Sequence, residues 1–326
     1  MKKMGNEIVK NIIDTIKQYD TIIIHRHFRP DGDCIGTSFG LREVLRNSFP
    51  KKKIYSVGGE IPESLKFIGK EDIIEDSLYK DALVIVVDTA VSDRVYDERY
   101  KLGKQIIKID HHIVTDNYGF INYVEEDASA CSLLITKMCM DYPEILKINK
   151  EAARYLFTAV ITDTGRFHFG VNGEVLRQTS FLVDQGIDVE TIYANLYTKD
   201  KEVLKFDGWV YENFEVSENG VAYIYIDNEV KRRFNINNDE ASATVGKLDS
   251  IKGSLIWVLF NEQEDEIRVR LRSRYIPVDK LANKYNGGGH ENASGATVYT
   301  KDEAMKLIYD ADLLLNEFKK RNEDKF

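Results

Sequence analysis

Carboxylate and imidazole side chains stand directly behind several apolar runs of this sequence, where strands are expected to end. One such cluster reads HRHFRPDGD (25–33), and another is the triplet DHH (110–112). The candidates that share this kind of position are His27, Asp31, Asp33, Asp88, Asp110, His111, His112 and Asp163. A single aspartate after a strand is most often a turn or helix-cap residue. These residues therefore predict a site only if the strand ends converge.

The apolar runs of the first half are rich in β-branched residues and do not alternate with polar ones. They are TIIIH (21–25), KIYSV (53–57), ALVIVVD (82–88) and QIIKID (105–110). Strands of this kind are buried on both faces, as in a parallel sheet covered by helices. Helical spacing indicates helices near 34–47 and 150–161, the second capped by Asn149. Together these elements predict a doubly wound, mainly parallel α/β domain.

This topology predicts that the acidic residues meet. In an open parallel sheet, ligands bind beyond the carboxyl ends of the strands, and Asp163, behind an apolar helix, can reach the same edge. Carboxylates with a few imidazoles suit Mn²⁺ or Mg²⁺ better than the thiolate-rich sites of structural zinc. The charges that would neutralise two divalent cations come from Asp31, Asp33, Asp88 and Asp163. The residues alone thus favour a two-metal hydrolytic site, with cations about 4 Å apart.

The second half predicts a smaller α/β domain. Its expected strands are 220–226, 254–260, 266–274 and a short one near 295–299. A short helix is expected after Pro277 and a closing helix near 302–319. In EIRVRLRSR (266–274) the arginines alternate with apolar residues and share one face of the strand. Arginine offers a planar fork suited to a phosphate, and the glycines of GGGH (287–290) allow close backbone approach to a ligand.

Several short motifs, in their order along the chain, resemble those of the DHH phosphoesterase family and its companion DHHA1 domain. They are HFRPDGD (27–33), VVDTA (86–90), DHH (110–112), TDTGRF (162–167) and GGGHENASG (287–295), the last preceded by VRLRSR (269–274). The resemblance covers nearly the whole chain. It implies a DHH catalytic domain at 1–190, a helical linker at 191–212 and a DHHA1 substrate-binding domain at 213–326.

The resemblance also implies a dinuclear centre, usually with Mn²⁺, although Mg²⁺ accepts the same oxygen ligands. The implied metal ligands are His27, Asp31, Asp33, Asp88, His111 and Asp163. His27 and Asp31 are expected to bind one metal, and Asp33 and His111 the other. The remaining two aspartates are expected to contact both metals.

The roles of the other motif residues follow from the same resemblance. His112 is expected near the scissile phosphate, and Asp110 is expected to fix an imidazole tautomer. His111 is favoured over His112 as the metal ligand, and the choice between them stays open. The substrate contacts implied in the second domain are Arg272, Ser273, Gly288, Gly289, His290 and Asn292.

The short two-domain architecture resembles the nano-RNase subgroup of this family. Its members degrade very short RNA oligonucleotides to mononucleotides, and some dephosphorylate 3'-phosphoadenosine 5'-phosphate. A soluble cyclic-dinucleotide or pApA phosphodiesterase shares the architecture and is the alternative. A non-catalytic nucleotide-binding protein is a third reading, which the full set of implied ligands disfavours.

Composition limits partners and location. The net charge of −9 and pI near 5.4 argue against a protein that coats long nucleic acid. The 3 cysteines form no CxxC motif, which favours a reducing compartment. No apolar stretch approaches the roughly 20 residues that cross a bilayer. We therefore expect a cytoplasmic enzyme for short oligoribonucleotides or nucleotides, without membrane or long nucleic-acid partners, and a homodimer is left open.

Overall fold

The computed structural model describes residues 2–322, and contacts divide the chain into two units between Thr198 and Lys199. This boundary falls inside the stretch 191–212 that is expected to link the domains, and the domain limits given above stay a prediction. Among the described residues, no helix combines the length and apolar character needed to span a bilayer.

The N-terminal unit contains six α-helices and five strands within its described residues. In chain order these are α1 (Lys2–Gln18), β1 (Thr21–His25), α2 (Gly32–Ser48), β2 (Lys53–Ser56), β3 (Leu83–Val87), β4 (Gln105–Asp110), β5 (Ile121–Val124), α3 (Cys131–Asp141), α4 (Lys150–Asp163), α5 (Gly173–Val183) and α6 (Val189–Tyr197). The five strands form one parallel sheet in the order β2-β1-β3-β4-β5. The expected α/β fold is confirmed.

Burial on both faces explains the unbroken apolar runs of the central strands. Ile22 and Ile24 pack into a core shared with residues of α1, α2, α3 and α4, while Ile23 packs into a second core on the opposite face. That second face is covered by short 3₁₀ turns, including Asp76–Tyr79 and Glu98–Leu102. Buried strands of this kind end in a common edge, which sets up the site described below.

Helices α2 and α4 pack unusually closely along a stripe of glycines. Gly32, Gly36 and Gly40 recur every fourth residue of α2 and face α4. A Cβ atom at Gly36 would lie 2.5 Å from the carbonyl oxygen of Tyr155, and one at Gly32 would lie 2.4 Å from Thr162 Oγ1. The two helices can approach this closely only because these side chains are absent. The contact brings the start of α2 beside the end of α4.

The C-terminal unit is a mixed sheet between two apolar clusters. Its elements are α7 (Lys201–Asn213), β6 (Glu215–Val216), β7 (Ala222–Ile226), α8 (Asn228–Phe234), α9 (Asn238–Ala243), β8 (Ile256–Glu262), β9 (Ile267–Ser273), α10 (Asp279–Lys284), β10 (Gly288–His290), β11 (Ala293–Val298) and α11 (Lys301–Arg321). The strand order is β10-β11-β9-β8-β7-β6, with only β7 and β8 parallel among the described pairs. The hairpin predicted between β8 and β9 is confirmed.

Candidate metal centre

The structure brings together all of the predicted metal ligands at the carboxyl edge of the N-terminal sheet. Together with Cys34 and His112 they form three overlapping groups, and within each group the potential ligand atoms lie within 4.8 Å of one another. The groups are His27–Asp31–Cys34–Asp88, Asp88–His111–His112 and Asp33–His111–Asp163. Each residue follows a strand or stands at a helix end, so the sheet topology produces the cluster.

Asp88 lies at the centre of the cluster. It follows β3 with a φ of +50°, a left-handed conformation held by a hydrogen bond from its backbone N–H to the carbonyl oxygen of Ile109 at 2.9 Å. Its Oδ2 lies 3.6 Å from His27 Nε2, and its Oδ1 lies 3.3 Å from His111 Nε2. Oδ1 is buried and has no hydrogen-bond partner. A buried carboxylate oxygen without a donor is well placed to accept a cation.

Two histidines are oriented by backbone carbonyls so that the same ring nitrogen faces the cluster. His27 Nδ1 lies 2.9 Å from the carbonyl oxygen of Phe28, and His111 Nδ1 lies 2.9 Å from that of Ala128. A carbonyl can only accept, so each Nδ1 carries a proton, and each Nε2 faces the cluster, where it can present a lone pair to a cation that displaces any proton on it. This is the arrangement that metal-ligating histidines adopt.

Asp33 is held by the start of a neighbouring helix. Its Oδ1 accepts hydrogen bonds from Thr37 Oγ1 at 2.8 Å and Ser132 N at 3.2 Å, and its Oδ2 accepts one from Cys131 N at 2.6 Å. The last two donors belong to the first turn of α3, where backbone N–H groups lack helical partners. Asp31, the N-cap of α2, accepts from the backbone N–H of Cys34 and leaves its side chain exposed.

Electrostatics of the cluster show an excess of negative charge. Burial, reinforced by the nearby carboxylates of Asp88 and Asp163, raises the pKa of Asp33 well above its ordinary value. Burial likewise raises the pKa of Asp163 to about 6, against an opposing effect of His111. Burial lowers the pKa of His111, but Asp88 and Asp33 outweigh it and raise the value to about 10. Carboxylates that repel one another in this way fit a site for divalent cations.

The Nδ1 atom of His112 contacts a carboxylate, whereas that of His111 contacts a backbone carbonyl. His112 Nδ1 lies 2.7 Å from Asp110 Oδ1, while the wholly buried Asp110 places Oδ2 3.2 Å from Lys108 Nζ. Burial raises the pKa of Asp110, but His112 and Lys108 hold it below its ordinary value. Because an ionised carboxylate only accepts, Nδ1 of His112 carries a proton and Nε2 is left for other contacts.

One cysteine and one lysine at the site, Cys34 and Lys108, are not among the predicted site residues. The thiol of Cys34 belongs to the group around His27, and burial raises its pKa strongly. Lys108 lies wholly buried behind the DHH triplet. The only sequence signal for Lys108 is a charged residue within the apolar strand QIIKID (105–110).

The predicted substrate residues of the C-terminal unit gather where β9, β10 and β11 meet. Arg272 pairs in register with Ala293, and Ser273 donates its backbone N–H to the carbonyl oxygen of Asn292. Gly289 has a φ of +144°, and a Cβ there would lie 2.7 Å from the carbonyl oxygen of Ala293. Strand β10, which contains Gly288, Gly289 and His290, is not among the strands that the sequence predicts. The binding roles of these residues stay a prediction.

The guanidinium of Arg272 lacks an acidic partner within the described residues. It donates to the backbone carbonyls of Leu271 at 2.8 Å and Ser294 at 3.3 Å. Burial lowers its pKa, and the neighbouring Arg270 adds to this effect. A partly buried cation beside another cation suits an anionic ligand.

Comparisons with known proteins identify close relatives over nearly the full chain. A bifunctional oligoribonuclease and PAP phosphatase NrnA of Bacillus subtilis (strain 168) is 40% identical over 94% of this chain and 98% of its own. A probable bifunctional oligoribonuclease and PAP phosphatase NrnA of Streptococcus mutans is 38% identical over 94% of this chain and 98% of its own. Similarity of this extent supports a common fold.

A solved structure and two family models agree with these relatives. The crystal structure of an exopolyphosphatase-related protein from Bacteroides fragilis matches with a TM-score of 0.85 and 29% identity, over 96% of this chain and 97% of that one. The model of the DHH family, N-terminal domain, matches residues 21–160, and that of the DHHA1 domain matches residues 218–317. The expected family is therefore confirmed, and this chain belongs to the DHH family of phosphoesterases.

Proposed function

We propose that this protein uses two divalent cations to hydrolyse very short RNA oligonucleotides to mononucleotides, and that it also dephosphorylates 3'-phosphoadenosine 5'-phosphate. The observation that carries the proposal is that six predicted ligands lie together at one edge of the sheet. Two of them are imidazoles whose orientation is set by hydrogen bonds to backbone carbonyls. The relatives from Bacillus subtilis and Streptococcus mutans bear names of the same activity. The proposed substrates are short oligoribonucleotides and nucleotides, and the proposed location is the cytoplasm.

We divide the proposed ligands between the two cations as the family resemblance implies. His27 and Asp31 are proposed to hold one cation, Asp33 and His111 the other, with Asp88 between them. Asp88 suits that place because its two oxygens face different imidazoles, Oδ2 facing His27 and Oδ1 facing His111. Mixed carboxylate and imidazole donors favour Mn²⁺, with Mg²⁺ as the hard-cation alternative. Bound cations supply Lewis acidity and a water of lowered pKa.

Asp163 completes the set from the end of α4. Its Oδ2 lies 3.7 Å from His111 Nε2, and its side chain is one third exposed. It therefore borders the open side of the cluster, from which a phosphate ester can enter. The carboxylate of Asp163 is proposed to contact both cations, as is that of Asp88.

His112 and Asp110 are proposed to act on the substrate phosphate. The hydrogen bond between His112 Nδ1 and Asp110 fixes the tautomer and leaves Nε2 of a half-buried ring for the substrate. From there His112 can donate a hydrogen bond to a phosphoryl oxygen or pass a proton to the leaving group. Asp110 holds the His112 ring in the orientation that this contact requires.

The residues at β9, β10 and β11 are proposed to bind another part of the substrate. Arg272 would pair with a phosphate, and the glycines of β10 would admit it close to the backbone. Ser273, His290 and Asn292 would add hydrogen bonds.

The metal mechanism is tested by replacing the central ligand. We expect Asp88→Asn to lower kcat on a ribodinucleotide by about a thousandfold, because it removes the charge shared by both proposed cations. Asparagine tolerates the positive φ of this position, so the fold should persist. The matched control is Asp93→Ala, an exposed aspartate five residues further on, which should retain activity. Equal activity of Asp88→Asn and wild type would refute the mechanism.

A further inference from the structure

Lys108 is a wholly buried lysine that the roles assigned so far do not use. It lies two residues before Asp110 on β4, so both side chains share one face of the strand. Its ammonium donates to the carbonyl oxygens of Ala90 at 2.7 Å and Asp116 at 3.0 Å, and it lies 3.2 Å from Asp110 Oδ2. Two of the three N–H groups of the ammonium thus donate to carbonyl oxygens. Among the described residues, Asp110 Oδ2 accepts no hydrogen bond and faces the ammonium as the other half of a buried ion pair.

Two loops that carry site residues are joined by this ammonium. Ala90 belongs to the loop that begins with Asp88, and Asp116 belongs to the loop that follows the DHH triplet. A second link joins the same loops, since Asp116 Oδ2 accepts from Ser92 N at 2.9 Å and from Ser92 Oγ at 2.7 Å. Lys108 therefore contacts both loops and the carboxylate that holds His112.

Stability alone does not account for a charged residue at this position. Burying an ion pair costs desolvation that often equals its attraction, so the pair with Asp110 adds little to stability, and the two hydrogen bonds of the ammonium go to loops and not to the strand. The neighbouring strand residues Ile107 and Ile109 are apolar. The contacts of Lys108 point instead to a role in the geometry of Asp110.

We infer that Lys108 is a positioning residue that acts on the reaction through Asp110 and His112. One oxygen of Asp110 faces the lysine and the other faces His112 Nδ1, so the lysine fixes the plane of the carboxylate and thereby the direction of His112 Nε2. The inference rests on the proposed function, because it presumes that His112 acts on a phosphate ester.

A double-mutant cycle tests this inference on the full-length protein loaded with Mn²⁺. The enzymes are wild type, Lys108→Met, His112→Ala and the double variant, assayed on a ribodinucleotide. We expect Lys108→Met to lower kcat by about 10- to 100-fold with KM nearly unchanged. In the His112→Ala background, the same change should lower kcat by less than about threefold, because the residue through which it acts is gone.

An equal loss in both backgrounds would overturn the inference, since a merely structural lysine lowers activity regardless of His112. Lys231→Met is the matched control, because this buried lysine of the C-terminal unit also donates to a backbone carbonyl, that of Glu262. It should leave kcat unchanged. If Lys108→Met fails to fold, Lys108→Gln, which keeps donors and lacks the charge, enters the same cycle. Absence of hydrolysis by the wild type would instead refute the proposed function.

Discussion

At the residue scale, His111 shows how the site is prepared for a cation. Its Nε2 lies 3.3 Å from Asp88, 3.7 Å from Asp33 and 3.7 Å from Asp163. Without metal, these carboxylates retain a proton on the ring and raise its pKa to about 10. A cation bound at Nε2 must displace that proton, so metal affinity should rise with pH.

The raised pKa predicts how the metal-free protein responds to pH. Between the unfolded value of 6.5 and the folded value of about 10, the folded chain keeps a proton that the unfolded chain has lost. Stability should therefore fall as pH rises through this range. Asp163, with a pKa raised to about 6, adds a loss of the same sign from about pH 4 to 6.

The check is the melting temperature of EDTA-treated protein at pH 6.5, 8 and 9.5. Wild type should lose stability across this series more steeply than His111→Gln, which lacks the titrating ring. Excess Mn²⁺ should raise the melting temperature of wild type by mass action. Identical pH slopes for wild type and His111→Gln would contradict the assigned environment of His111.

At the element scale, the packing of α2 on α4 sets the distance between acidic residues from different parts of the chain. Asp33 lies in the first turn of α2, and Asp163 is the last residue of α4. Gly36 allows the approach, because a Cβ there would lie 2.5 Å from the carbonyl oxygen of Tyr155 and 2.8 Å from Ala159 Cβ. The backbone of α4 cannot yield as a flexible side chain would.

We therefore expect Gly36→Ala to destabilise the protein by about 1–3 kcal/mol through overpacking. The matched control is Gly208→Ala in α7, where a Cβ meets nothing within 4 Å. This control should stabilise by about 0.5–1 kcal/mol, because alanine favours a helix interior over glycine. Urea denaturation should give a lower free energy of unfolding than wild type for Gly36→Ala and a higher one for Gly208→Ala. Stabilisation by Gly36→Ala would contradict the described helix contact.

The limits of sequence reasoning are clearest for elements whose signals are weak or whose contacts are distant. The central strands β1, β3 and β4 were predictable because apolar β-branched runs mark buried parallel strands. Strand β5 reads INYV and lies at the sheet edge, so its pattern gives little signal. The hydrogen bonds from α3 to Asp33 join residues nearly a hundred positions apart, and no local pattern announces them.

Ligand types could likewise be read from the sequence, but ring orientation could not. The motifs name His27 and His111, whereas the carbonyls of Phe28 and Ala128 decide which nitrogen faces the cluster. Glycine recurs at every fourth residue at the start of α2, but this spacing alone does not name α4 as the helix that packs against it. The contacts of Lys108 could not be predicted either, because the two loop carbonyls that accept its hydrogen bonds come near it only in the folded chain.

At the scale of the whole molecule, the metal centre lies within the N-terminal unit and the predicted substrate contacts lie within the C-terminal unit. Arg272 carries a charge with no carboxylate partner among the described residues. We expect Arg272→Ala to raise KM for a ribodinucleotide by about tenfold or more, because a charge-assisted hydrogen bond to phosphate is lost. The kcat value should change less, since the metal centre is intact.

The control on the same strand is Arg268→Ala, whose side chain contacts Glu266 and Thr297. Its KM should match that of wild type. Equal KM values for Arg272→Ala and Arg268→Ala would remove Arg272 from the proposed substrate site. Mn²⁺ titration of each variant by calorimetry separates a binding defect from a loss of metal.

The most direct test of the central claim is a side-by-side hydrolysis assay in Mn²⁺. Its substrates are a ribodinucleotide, 3'-phosphoadenosine 5'-phosphate, cyclic di-AMP and an RNA of about 20 nucleotides, chosen because an acidic protein should not bind long RNA well. The account predicts fast turnover of the dinucleotide, measurable release of phosphate from 3'-phosphoadenosine 5'-phosphate, and little turnover of the other two. Preferential cleavage of cyclic di-AMP or of the long RNA would contradict it.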